Sequence, residues 1–251
     1  MDIVNSTFRY LGRDWNASYG VSWVRKATGS VVGSTFEDGF IGAFTDHAQG
    51  VVFRKDVFRD NVLYGLDPHS LSSGLTVEDN LAEGNGHHGI IFSDNVTGSS
   101  VRNNIVRNNR VNGIMMDASS DLNTISGNQV TGNRGDGIVM SGSGRNNVVS
   151  NTIEHNRVGV HVYGNVSSKN TIERNTVRGN AIANQGTDLS GSNSLGQNGT
   201  RWRDSMIPVI WSLTVTGGGL LCLLTWWSRR QRVRRVIRYN KRVQRVKAGV
   251  M

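Results

Sequence analysis

Asn109-Arg-Val-Asn-Gly113-Ile-Met-Met-Asp117 returns 24 residues later as Asn133-Arg-Gly-Asp-Gly137-Ile-Val-Met-Ser141. Working outward from this pair, glycines recur at Gly20, Gly42, Gly65, Gly89, Gly113, Gly137 and Gly159, spaced by 22 to 24 residues. An asparagine stands four residues before several of them (Asn61, Asn85, Asn109, Asn133), and Asn156 stands three before Gly159. A second asparagine row runs through Asn80, Asn104, Asn128, Asn151 and Asn175. Short β-type segments follow the glycines and precede the second row, and none carries a helical period. A fixed repeat of this length signals a solenoid, because one coil alone cannot bury its apolar residues. Stacked coils pair each strand with its copies above and below, and equivalent asparagines then form amide ladders. Parallel crossovers are right-handed. The predicted fold is therefore an all-β, right-handed parallel β-helix of about seven coils spanning residues 1–184.

Composition agrees. Glycine is abundant (31 residues) and proline scarce (2), which suits many tight turns between short strands. The lone cysteine, Cys222, excludes an intrachain disulfide. The formal charge of +9 is unevenly held: residues 1–200 balance at −2 and residues 201–251 at +11. A pI near 10.3 thus belongs to the tail and gives the repeat no nucleic-acid-binding character. Residues 185–204 lose the period and read as a Gly/Ser/Asn linker. Residues 205–228 carry no charge and end in Trp226 and Trp227, as a membrane-spanning helix would. The arginine-rich residues 229–251 follow as a cytoplasmic tail, which places the β-helix outside the cytoplasm. No signal-peptide pattern opens the chain. The repeat begins at Met1 without a cap, an open edge expected to be covered by a partner or by segments of a longer protein.

Alternation assigns faces. The residue after each glycine should point inward: Val21, Ala43, Leu66, Ile90, Ile114, Ile138, Val160. The next residue and the one two further on should face solvent, giving the outer pairs Ser22/Val24, Phe44/Asp46, Asp67/His69, Ile91/Ser93, Met115/Asp117, Val139/Ser141 and His161/Tyr163. A long shallow groove lined this way suits an extended polymer lying across the rungs, a saccharide chain above all. One coil breaks the pattern by placing Asp67, Pro68 and His69 where its neighbours carry mostly apolar residues. Two ionisable groups in that slot point to chemistry.

The stretch Tyr64-Gly-Leu-Asp-Pro-His69 resembles the Tyr-Gly-Phe-Asp-Pro-His-Asp/Glu signature of the mannuronan (alginate) C5-epimerases. Ser18-Tyr-Gly-Val-Ser-Trp23 and His88-Gly-Ile-Ile-Phe-Ser93 resemble bacterial members too, and the likeness extends over about residues 1–180. It implies that Tyr64, Asp67 and His69 act at the sugar, on a uronic-acid polysaccharide. The family's acidic residue after the histidine is Ser70 here, and the family's coils preceding this region are absent from the sequence. Removing the C5 hydrogen of a uronate builds charge beside an existing carboxylate, so that carboxylate must first be offset by a cation or a shared proton. One group then takes the proton and another returns one to the opposite ring face. An imidazole suits either role, and the sequence leaves the assignment of acid and base between Tyr64 and His69 open. Asp67 could orient His69 or share a proton with the substrate. Arg25 and Lys26 are candidates for the offsetting cation, and His88, Asp46 and Asp117 for further substrate contacts.

His87 and His88 are adjacent and lack partners at ligand spacing, so no metal site and no cofactor are expected. The leading expectation is a membrane-anchored C5-epimerase. A polysaccharide lyase and a non-catalytic glycan-binding surface protein are the alternatives, the latter favoured by the −2 charge of residues 1–200.

Overall fold

Every strand of three to six residues finds its partner one coil away, and the coils close into three parallel sheets of nine, nine and eight strands. The computed structural model describes residues 1–14, 18–164, 167–186, 194–195 and 199–200, and these form a right-handed parallel β-solenoid. The register matches the sequence pattern: Val21 pairs with Ala43, Ala43 with Leu66, Leu66 with Ile90, Ile90 with Ile114, Ile114 with Ile138 and Ile138 with Val160. From Ala43 onward these residues are buried, and they join Val31, Phe36, Phe53, Phe58, Phe92 and Met116 in one continuous core along the axis.

The asparagines form the predicted ladders. The backbone N–H and the side-chain Nδ2 of Asn85 both donate to Asn109 Oδ1, at 3.0 and 2.9 Å. Asn109 Nδ2 in turn donates to the Ala82 carbonyl (3.2 Å) and to Asn133 Oδ1 (2.9 Å). Each buried amide thereby satisfies turn groups that water cannot reach. A third row, Asn123, Asn146 and Asn170, repeats the backbone-to-Oδ1 contact at a third corner. These ladders also explain the glycine row, where space is decisive: a Cβ on Gly65 would stand 2.6 Å from the Gly89 carbonyl oxygen and 2.9 Å from Asn85 Nδ2.

One ladder contains an acid. Asp56 Oδ1 accepts from the Ser34 N–H (2.7 Å) and the Asp56 N–H donates to Asn80 Oδ1 (2.8 Å), but Asp56 Oδ2 is buried without a partner. Burial pushes this carboxyl up to about 6.

On the outside of the second sheet, charges alternate from coil to coil. The paired positions run Arg9, Glu37, Arg59, Glu83, Arg107, Thr131, Glu154, Arg178. Arg9 and Arg59 both bind Glu37, Arg107 binds Glu83 and Arg178 binds Glu154.

Within residues 185–204, Ser194–Leu195 pairs with Thr171 and Ile172, and Gly199–Thr200 with Thr176 and Val177. The first two sheets thus continue into the stretch read from sequence as linker, at least at these four residues. Backbone pairing tolerates the Gly/Ser/Asn composition that hid the period. The expected membrane helix at 205–228 and basic tail at 229–251 lie outside the described residues. Among the described residues no helix is long and apolar enough to cross a membrane.

Two stability outcomes follow from the ladders. Asn109→Ala strands the buried Asn85 N–H and the Ala82 carbonyl, and denaturant unfolding should show a loss of about 3 kcal/mol. Asp56→Asn should do the opposite. An acid whose folded pKa is raised binds its proton more tightly folded than unfolded, so its cost appears as pH rises from about 4 to 6 and persists above. Melting curves should show the variant gaining up to about 3 kcal/mol over the parent at pH 7, and no gain at pH 3.5.

Candidate active site

The outer face of the third sheet carries two columns in the predicted register: Phe44 pairs with Asp67, Asp46 with His69, Ile91 with Met115, Met115 with Val139, Val139 with His161 and Ser141 with Tyr163. His69 is bridged to Ser93. Only the second column faces outward as expected: Asp46, His69, Ser93, Asp117, Ser141 and Tyr163 are partly exposed. The first column is roofed. Phe44, Asp67, Ile91, Met115 and Val139 are buried, and Ile91, Met115 and Val139 form a small second core against which Tyr64 and Tyr163 pack. The roof is the turn before each glycine, whose side chains fold over the strand that follows. Asn112 Nδ2, for example, lies 3.7 Å from Met115 Sδ. Strand alternation alone does not report that cover.

Tyr64 and Asp67 lie under this roof and His69 beside it in the open column, each within electrostatic reach of Asp117. Asp67 is 3 % exposed, and its Oδ1 is buried without a hydrogen-bond partner. Burial, reinforced by the nearby Asp117, raises its carboxyl well above the usual range and so favours the protonated form. Asp117 is raised as well, by burial first, against a hydrogen bond from Ser93 and the attraction of His69. Its Oδ1 also lacks a partner. Burial lifts the Tyr64 phenol, with Asp67 and Asp117 adding to the effect. Tyr64 therefore stands with its proton on, placed to give one and not to take one.

Tyr64 stacks face to face on His88, ring centres 5.5 Å apart and planes within 1°. His88 Nδ1 accepts the Asn112 N–H at 3.2 Å, so the ring proton resides on Nε2. Burial and neighbouring His87 push the His88 imidazole down to about 3, so it stays neutral. The neutral ring thus pins Tyr64.

His69 is oriented by residues that sequence reading did not single out. Its Nδ1 lies 2.7 Å from Ser70 Oγ, and Ser70 Oγ lies 3.1 Å from Asp94 Oδ2. The carboxylate can only accept, so the single hydroxyl proton goes to Asp94 and Ser70 accepts from His69 Nδ1–H. Nε2 is then the unprotonated ring atom of the neutral imidazole. The acid missing after the histidine in sequence is thereby supplied by Asp94, one rung away. The clue was the Ser70 departure itself, at a spacing of one coil from Asp94.

Pro68 gives the strand its local shape. Leu66 N–H donates to the Gly89 carbonyl and Ser93 N–H to the Pro68 carbonyl, both in normal parallel register. The intervening rung, from residue 68 to the Ile91 carbonyl, cannot form because proline has no N–H. Ser70 and Leu71 then take left-handed φ values of 36° and 58°, turning the chain directly after His69.

The other expected contacts divide. Asp117 and His88 belong to the cluster. Asp46 is in register with His69, but its carboxylate pairs with His47. Arg25 and Lys26 do not join. They occupy an exposed left-handed turn two rungs before Asp67, roughly 10 Å along the axis. Among the described residues neither Asp67 nor Asp117 is ion-paired with a lysine or arginine.

Comparison with known proteins agrees with this fold. A family model described as "Periplasmic copper-binding protein (NosD)" matches residues 5–207. The chain belongs to the NosD family. Within this family's sequence range it also carries the epimerase-like β-helix that the motif resemblance implied. It is 33 % identical over 105 residues to the mannuronan C5-epimerase of Pseudomonas aeruginosa, covering 37 % of this chain and 19 % of that protein. It is 34 % identical over 99 residues to mannuronan C5-epimerase AlgG of Azotobacter vinelandii, covering 34 % and 19 %. The chain thus spans about a fifth of the length of these relatives. The crystal structure of the periplasmic alginate epimerase AlgG superposes with a TM-score of 0.72 over 78 % of this chain and 58 % of that one, at 24 % identity.

The copper in the NosD description finds no matching donor set among the described residues, where no three His, Cys, Asp or Glu side chains surround a common point. His88 Nδ1 is already committed to a backbone N–H, and His87 meets His88 edge to face with ring centres 4.1 Å apart.

The raised Asp67 pKa has a direct consequence. Asp67→Asn replaces one neutral group by another, so thermal unfolding should show the variant as stable as the parent at pH 4. It should become progressively more stable than the parent as pH rises above about 4, where Asp67 ionises in the unfolded chain but is held back in the folded one.

Proposed function

We propose that this chain acts on a uronic-acid polysaccharide outside the cytoplasm as a C5-epimerase, with Asp67 offsetting the substrate carboxylate and His69 taking the C5 proton. The observation that carries the reading is the pairing of a buried Asp67, its Oδ1 unpartnered and its carboxyl shifted toward the protonated form, with a His69 whose Nε2 is left free by the Ser70–Asp94 relay. A protonated acid donating to the sugar carboxylate removes the charge that would otherwise oppose carbanion formation at C5. His69 Nε2 then accepts the C5 proton, and the Asp94 carboxylate, acting through Ser70, favours the imidazolium that results. Tyr64 keeps its own proton, held there by burial and by two carboxyls. It is the group suited to return a proton to the opposite face of the ring. The mannuronan C5-epimerase relatives and the periplasmic alginate epimerase AlgG support the substrate class and the compartment. Membrane anchoring through residues 205–228 and a cytoplasmic tail remain part of this proposal on sequence grounds.

The test is incubation with polymannuronate in D2O, followed by NMR of the sugar H5. Deuterium entering C5 with inverted configuration is expected. His69→Ala and Tyr64→Phe should each cut incorporation by about 10²- to 10⁴-fold. An unsaturated chain end would replace the epimerase by a lyase, and binding without exchange would leave a glycan-binding module. Asp94→Asn should slow exchange about tenfold, whereas Ser70→Asp, which sets a carboxylate directly on His69 Nδ1, should retain it.

A further inference from the structure

Four rungs beyond Asp67 the same face holds a second polar cluster. Asp136, in the turn before Gly137, is 3 % exposed. Its Oδ2 accepts from Arg157 Nη2 and from His161 Nδ1, each at 2.7 Å. The His161 and Tyr163 rings lie 4.6 Å apart. The two residues occupy the columns of Asp67 and His69, so they repeat that pair roughly 19 Å along the axis.

The cluster breaks the first column. Ile91, Met115 and Val139 are apolar and buried, whereas His161 follows them as a polar ring held by an acid from the turn row of Tyr64, His88, Asn112 and Asp136. The cluster is not closed: the Arg157 side chain remains 51 % exposed while holding Asp136, and Tyr163 is partly exposed. His161 spends Nδ1–H on Asp136, which turns Nε2 into the ring atom free to accept a hydroxyl proton. The planar guanidinium of Arg157 has further N–H donors in a geometry that fits a carboxylate. A tyrosine ring beside them offers an apolar face to a sugar. Arg110 and Arg134, both exposed, stand one rung apart in the turns leading toward Arg157. Cationic groups are thus present along this half of the face and absent from the Asp67 cluster.

We propose that Arg157, His161 and Tyr163, with Asp136 as their positioning residue, form a distal subsite for an acidic sugar of the same polymer whose reacting residue lies at His69. Arg157 takes the uronate carboxylate, His161 Nε2 a ring hydroxyl, and Tyr163 the sugar face. The subsite rests on the polysaccharide reading above, and its role is to hold a long chain in line across the rungs.

The experiment is calorimetric titration of the full chain with oligomannuronates of three and eight sugars, since three cannot span both clusters. The parent should bind the octamer roughly tenfold more tightly than the trimer. Arg157→Gln and Tyr163→Ala should each abolish that advantage and leave trimer affinity unchanged. Thermal melts of both variants report whether the fold is intact, and Tyr163→Ala leaves the Asp136 ion pair in place. The proposal is overturned if the octamer advantage survives both substitutions, if trimer affinity falls in parallel, if the parent shows no length dependence, or if a neutral oligosaccharide of eight sugars binds as tightly. Deuterium exchange at C5 separates the two readings. Length dependence lost in the variants of a chain that shows no exchange upholds the subsite and sinks the epimerase. Exchange with unaltered length dependence does the reverse.

Discussion

Coils stacked in register, each buried amide bonded to its copy one turn away, are the constraint from which the rest of this molecule follows. A solenoid has no distant contacts to correct a local error, so each coil's stability depends on its neighbours. The asparagine ladders bring that dependence to the corners, where the backbone leaves donors and acceptors unspent. A single Asn109 side chain serves the N–H and the amide of Asn85, the Ala82 carbonyl and the oxygen of Asn133. The glycines that mark the period are required because these amides and the adjacent backbone occupy the space a Cβ would need.

The same stacking builds the site. Residues far apart in sequence become neighbours at one-coil intervals, so a cluster is assembled by repeating a position and changing what stands there. Asp67 replaces an apolar residue in a roofed column, and burial there raises its carboxyl well above the usual range. His69 stands in the open column and gains a carboxylate from Asp94 through Ser70. The two side chains are thus separated by two residues and by a difference in burial.

The fold and the pairing register were legible in the sequence because both rest on a period, and a period survives in one dimension. Tyr64, Asp67 and His69 were legible because they interrupt it. What alternation could not report was the roof: Asp67 and Val139 count as outward-facing from strand geometry yet are buried by the turn before the glycine. The role of Asp94 was hidden because its link to His69 passes through a serine that looks like a loss. Arg25 and Lys26 were drawn in by their charge on an earlier coil, and they stand two rungs before Asp67.

The alternating Arg and Glu positions on the second sheet carry a further implication. Near-identical coils can mispair by skipping one, since the apolar and amide positions would still match. A skip of one coil sets Arg against Arg and Glu against Glu along that column, which opposes strand pairing. The column therefore works as a parity check on assembly: it rejects odd displacements while remaining blind to even ones, and the uncharged Thr131 is the point where the check lapses.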